Sequence, residues 1–177
     1  NFLVSHELGI AQDSAAPAPR FRHAATLMPA DALPGLSQGA LIICCGTTDP
    51  DGANSTLARN DVWLMDLGQR NWYELKPSGE PPLPRHSPSM SVEGSRVLLM
   101  GGEFYNPSAQ RWQQDLTLWL LDLSDPNLQW RSMKGSQDEE YISSSNRPDS
   151  SHFVSQLTTL PDQTRLAYLY QNDLVFI

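Results

Sequence analysis

Four histidines, His6, His23, His86 and His152, are the side chains best suited to bind a metal or move a proton, and no two stand at a His-x-x-x-His spacing. The cysteines Cys44 and Cys45 are neighbours rather than a spaced zinc-type pair, so no metal is expected. A disulfide between neighbours would be strained, which points to reduced thiols in a cytoplasmic or other reducing intracellular compartment. Asp138-Glu139-Glu140 is a run of carboxylates set among Ser, Gly and Gln in residues 135–146. It reads as a solvated acidic loop, not as an acid–base pair. There is no Gly-x-Ser-x-Gly elbow, P-loop or dinucleotide fingerprint. Asn54-Ser55-Thr56 fits a glycosylation sequon, but no secretory leader is visible, and modification is not expected. The chain therefore reads as non-catalytic, with no cofactor.

Recognition chemistry is better represented. Phe104, Tyr105, Arg111 and Trp112 fall within one connecting segment, residues 103–114. Aromatic and guanidinium groups are the types enriched where a few contacts carry the binding energy of an interface. Either this segment presents them to a partner, or it folds onto its neighbour and buries its own rings. Arg22-His23 and Arg85-His86 are a second candidate, able to take a ligand or to bond backbone at the end of a strand.

These residues need elements to hold them. The chain has 177 residues, 14 Pro and 11 Gly, with short apolar runs between them. Strands are expected at 40–45, 61–67, 72–75, 96–100, 116–123, 128–133, 165–169 and 173–177, with turns such as Pro50-Asp51-Gly52 and Asp125-Pro126-Asn127 between them. No stretch sustains a helical period, so the fold class is all-β. A net charge of −8 argues against nucleic acid or an anionic membrane as partner. The longest apolar runs are far short of the roughly 20 residues that span a bilayer, so membrane insertion is not expected.

The sequence also repeats. Leu41-Ile42-Ile43-Cys44-Cys45-Gly46 returns 56 residues on as Val97-Leu98-Leu99-Met100-Gly101-Gly102, and Trp63-Leu64-Met65-Asp66-Leu67 returns at the same offset as Trp119-Leu120-Leu121-Asp122-Leu123. Trp72 is answered by Trp130, and Arg22-His23 by Arg85-His86, 63 residues on. A fainter third copy places Asn172-Asp173-Leu174-Val175-Phe176 against Asn60-Asp61-Val62-Trp63-Leu64. The repeated Trp residues are expected to fill the core.

An Arg-His strand, an apolar strand ending in paired glycines, a Trp/Asp strand and a last strand opening on Trp resemble the kelch repeat. The resemblance implies a kelch-type β-propeller with about three four-stranded blades present, an incomplete ring belonging to a longer chain. Residues 19–76 and 84–134 would be blades, 147–177 a degenerate and incomplete one, 135–146 the acidic loop, and 1–18 the end of a preceding blade or an extension. The first copy carries Cys45-Gly46 where the family has two glycines. In kelch relatives that bind acidic peptides, Arg residues opening the first strand line the channel rim, and by resemblance Arg22 and Arg85 take those positions.

The function implied is a non-enzymatic scaffold that binds protein partners through loops on one propeller face, within a larger complex. The alternatives are a structural subunit of a large assembly, or the kelch domain of a multidomain enzyme or ubiquitin-ligase adaptor, of the phosphatase-, methyltransferase- or F-box-linked kinds.

Overall fold

Short apolar runs bounded by Pro, Gly, Asn and Asp are buried most readily as strands, and the computed structural model is all-β and antiparallel. It describes residues 16–115, 117–132, 157–159, 166–170 and 173–176. Among them the one helical element is a three-residue 3-10 turn, Ser55–Leu57, and no helix is long and apolar enough to cross a membrane.

The first sheet runs β1 (Ala24–Met28), β2 (Ala40–Cys44), β3 (Val62–Asp66) and β4 (Asn71–Leu75), in that spatial order. The second contains β5 (Arg85–Glu93), β6 (Arg96–Asn106), β7 (Arg111–Gln114), β8 (Trp119–Asp122) and β9 (Trp130–Ser132). Its order is β5-β6-β8-β9, and β7 pairs with the far half of β6. A third sheet has β10 (Leu157–Thr159), β11 (Leu166–Tyr170) and β12 (Asp173–Phe176).

The sequence repeat is a repeat of register. Ile43 faces Trp63 across β2 and β3, and 56 residues later Leu99 faces Trp119 across β6 and β8. Met65 opposite Trp72 is matched by Leu121 opposite Trp130. A slip of one residue would turn every side chain to the other face, so this agreement fixes the two sheets as copies. The motif aspartates have one task in both copies. Asp66 Oδ1 accepts from the N–H groups of Gly68 and Gln69 at 2.8 and 3.1 Å, and Asp122 Oδ1 from that of Ser124 at 2.9 Å. Each carboxylate caps the turn that follows the third strand of its sheet.

Buried side chains of both sheets form one core, with Ile42, Cys44, Val62 and Leu64 from the first and Val97, Leu99, Leu121 and Trp130 from the second. Backbone also crosses the seam between the sheets: Gly46 N–H donates to Arg85 O, Arg85 N–H to Arg59 O and Ser87 N–H to Arg22 O, at 2.9, 3.0 and 2.7 Å. The first strands lie side by side, β5 next to both β1 and β10.

Three expectations are corrected. The strand foreseen at 96–100 runs on to Asn106 and turns back as β7, so residues 103–114 form a hairpin rather than a loop. Its turn closes because Asn106 Oδ1 accepts from the N–H groups of Ser108 and Ala109, at 2.9 and 3.1 Å. Trp63 is buried as foreseen, but Trp119 is only partly so. Trp63 Nε1–H donates to Asp61 Oδ2 at 2.8 Å; at the equivalent position the second sheet has Thr117, and Trp119 Nε1 has no hydrogen-bond partner among the described residues. Finally, the strand foreseen at 116–123 spans Trp119–Asp122, and Leu116 lies outside the described residues, as do the acidic run 138–140, His6, His152 and Arg165.

Candidate contact surface

In each of the first two sheets an arginine at the start of the first strand, or shortly before it, reaches the end of the second strand's apolar run. Arg85, wholly buried, donates from Nε to Leu83 O at 3.0 Å, from Nη1 to Gly101 O at 3.1 Å and from Nη2 to Asp115 Oδ2 at 2.9 Å. The first sheet reproduces this with Arg20. Its Nε donates to Ala18 O at 3.0 Å, its Nη1 to Cys45 O at 3.0 Å, and Nη1 and Nη2 fork onto Asp61 at 2.6 and 2.8 Å.

The counterpart of Arg85 is therefore Arg20, 65 residues before it, and not Arg22. The same offset matches Arg22 to Ser87, which share a left-handed backbone with φ of 53° and 57°. Arg85 is spent on holding backbone, whereas Arg22 is exposed. Both aspartates titrate low: burial pushes them up, but hydrogen bonds from Arg20 and Trp63 outweigh it at Asp61, and those from Thr117 with the charge of Arg85 outweigh it at Asp115.

Glycine is required where these strands meet. Gly46 and Gly102, at φ of 94° and 81°, would each drive a Cβ into backbone, onto Phe21 O at 2.8 Å and His86 O at 2.6 Å respectively. That close approach brings the first strand against the end of the second and puts His86 beside the hairpin.

His86 sits in a cluster drawn from both sheets. Its ring lies 4.7 Å from that of Trp112, and Trp112 meets Tyr105 edge-on at 5.8 Å. His86 Nδ1 is 3.3 Å from Ser87 Oγ and 3.9 Å from Glu103 Oε2. From the first sheet, the buried Gly52 approaches so closely that a Cβ there would stand 2.6 Å from Arg22 Nη1 and 3.6 Å from His86 Nε2. Burial lowers the His86 pKa, Glu103 opposing and Arg22 adding to the effect.

The hairpin register divides the foreseen contact residues between two faces. Tyr105 stands opposite Trp112, and Phe104 and Asn106 opposite Gln113 and Arg111. Alternation along each strand puts Tyr105 and Trp112 on the His86 side. Phe104 and Arg111 share the other face, where Asn106 Nδ2 donates to Gln113 Oε1 at 2.7 Å. Phe104, Tyr105 and Trp112 are half-buried and Arg111 is exposed. His86 was a candidate through its pairing with Arg85, but its association with Gly52 and Glu103 was not foreseen. The signals available were Pro50-Asp51-Gly52 as a tight turn and a charged residue straight after the paired glycines.

No protein-family model matches the chain. Over 147 residues, 83% of its length, it is 28% identical to the dynein alpha chain of the flagellar outer arm of Chlamydomonas reinhardtii. Over 98 residues, 51% of its length, it is 28% identical to Host cell factor of Drosophila melanogaster. The chain spans 3% and 6% of the lengths of these proteins.

Proposed function

We propose that these sheets are blades of a kelch-type β-propeller that serves as a non-catalytic scaffold, binding a protein partner through the β6–β7 hairpin and the neighbouring Arg22. The blade reading is supported by the shared register, the shared arginine anchor and the adjacent first strands. The single observation behind the contact surface is the hairpin itself. It is present in the second sheet where the first has a coil with a 3-10 turn, and it carries Arg111 exposed beside half-buried rings.

A photo-crosslinking residue at Arg111 in the full-length protein should capture a discrete partner from its native extract. The same residue at Gln69, in the β3–β4 turn at the other end of the strands, should not. Equal capture at both positions, or at neither, rejects the hairpin as the contact.

A second reading, a structural subunit of a large assembly, is favoured by the match to the alpha chain of a flagellar outer-arm dynein over most of the chain. It requires several surfaces to be occupied together, and the exposed Phe21 and Leu83 are further places for contact, at 49% and 52% exposure. Crosslinks from Gln69 and from Leu83 to different proteins in the same complex would favour it over the scaffold reading.

A further inference from the structure

Consecutive residues of a strand point to opposite faces, which normally holds the sulfurs of neighbouring cysteines apart. At the end of β2 they converge. Cys44 closes the strand, Cys45 follows with φ of 65°, and their Sγ atoms lie 3.2 Å apart, both residues wholly buried. The left-handed backbone belongs to the position, since the equivalent Gly101 has φ of 76°. Glycine adopts it freely, while a side chain there is strained. Both backbone groups of Cys45 hold it in place, the N–H donating to Asp61 O at 3.2 Å and the carbonyl accepting from Arg20 Nη1 at 3.0 Å. A cysteine thus stands where the fold favours glycine, with its thiol turned onto the thiol before it.

We propose that Cys44 and Cys45 form a vicinal dithiol that closes to an intramolecular disulfide, a modification site whose oxidant is a small peroxide. One sulfur attacks a peroxide oxygen, the O–O bond breaks, and a sulfenic acid forms while the released hydroxide leaves as water with the thiol proton. The second sulfur attacks the sulfenic sulfur, the S–O bond breaks, and the hydroxyl leaves as water with the second thiol proton. Two thiols and one hydrogen peroxide become one disulfide and two waters; the sulfurs lose two electrons and the peroxide oxygens gain them. The hydrogen bond with Cys45, and then burial, push the Cys44 thiol well above its ordinary range, so Cys44 rests as the neutral thiol and its attack on peroxide is slow. Cα atoms joined by a trans peptide are about 3.8 Å apart, closer than in ordinary disulfides. The ring is therefore strained and readily reduced again.

The test uses the full-length protein treated with excess hydrogen peroxide, quenched, denatured and alkylated with iodoacetamide, followed by mass spectrometry of the peptide carrying residues 44 and 45. The expected product is lighter by two hydrogens, carries no alkyl group, and takes up two after reduction. Cys45→Gly installs the residue found at the equivalent position of the second sheet and should fold; its Cys44 should then be alkylated or carry added oxygen. Alkylation of both cysteines after peroxide, oxygen added to each separately, or disulfide-linked dimers in place of the internal ring would overturn the proposal.

Discussion

Arg20 and Arg85 occupy the same place in consecutive sheets: each guanidinium holds the carbonyl two residues before it, the carbonyl of the residue after the apolar run, and an aspartate. The aspartates are not equivalent. Asp61 stands immediately before β3, while Asp115 follows the β6–β7 hairpin four residues ahead of β8. The anchor survives the inserted hairpin because the chain re-enters the sheet with a carboxylate within reach of the same arginine.

Removing Arg85 should therefore unfold this corner, whereas removing Arg22 should not. Arg85→Ala leaves Asp115 without its cation and the Gly101 carbonyl without its donor, at a cost of about 3–5 kcal/mol, the range for breaking a buried pair. Arg22→Ala should stay within about 0.5 kcal/mol, as at exposed sites. Urea denaturation midpoints of the two variants decide this, and equal shifts would contradict it.

The register was legible because apolar runs and Trp residues recur at one spacing, and a strand pairing with a buried face tolerates no slip. The arginine was misplaced for an equally physical reason. Arg22-His23 matches Arg85-His86 letter for letter, but the bonds are set by distance from the paired strand end, and these select Arg20. The His86 cluster was illegible because it depends on Gly52 and Trp112, from different sheets, each approaching His86 at the seam. The hairpin was hidden because Asn106-Pro107-Ser108 is turn chemistry that serves a loop or a hairpin equally well.

The two motif tryptophans should respond differently to truncation. Trp63→Ala should cost about 3–5 kcal/mol, as for core aromatic truncation, and Trp119→Ala less, because it is partly exposed. Phenylalanine separates packing from bonding. Trp63→Phe deletes a donor to Asp61, while Trp119→Phe deletes an N–H that has no partner among the described residues. The first should be costlier by about 1 kcal/mol, measurable by chemical denaturation.

Acid should destabilise the protein in two steps. His86 titrates below 6.5 when folded, so between its folded pKa and 6.5 the unfolded chain binds the extra proton and stability falls as pH falls. Asp61 and Asp115 lie below 3.8; the stability they confer is present above that value and is lost as pH drops through their folded pKa values. His86→Gln should abolish the upper step and leave the lower one. A stability–pH curve unchanged by that substitution would remove His86 as the origin of the upper step.

Glycine at the strand junction should be irreplaceable in both sheets. Gly46→Ala and Gly102→Ala combine a left-handed backbone with a Cβ pressed on backbone oxygen, which cannot swing away as a side chain could. A loss on the order of 3 kcal/mol is expected for each. Gly94→Ala, where nothing lies within 4 Å of the added atom at φ of 56°, should retain the strain without the clash and cost less. Thermal unfolding of the three variants gives the comparison.

The two faces of the hairpin should separate stability from binding. Trp112 rests on His86 and meets Tyr105, so Trp112→Ala is expected to loosen the hairpin and lower stability along with partner capture. Arg111 is exposed, and its face is shared with Phe104, so Arg111→Ala should leave the unfolding midpoint unchanged. If that face is the contact, losing a guanidinium anchor should weaken the captured partner by about 2 kcal/mol, and a partner held through charge should also dissociate more readily in added salt. Arg22→Ala tests the neighbouring exposed cation on the same terms. Binding that survives Arg111→Ala and Arg22→Ala together, but is lost with Trp112→Ala in step with stability, would mean that the hairpin supports the fold and that the contact lies elsewhere.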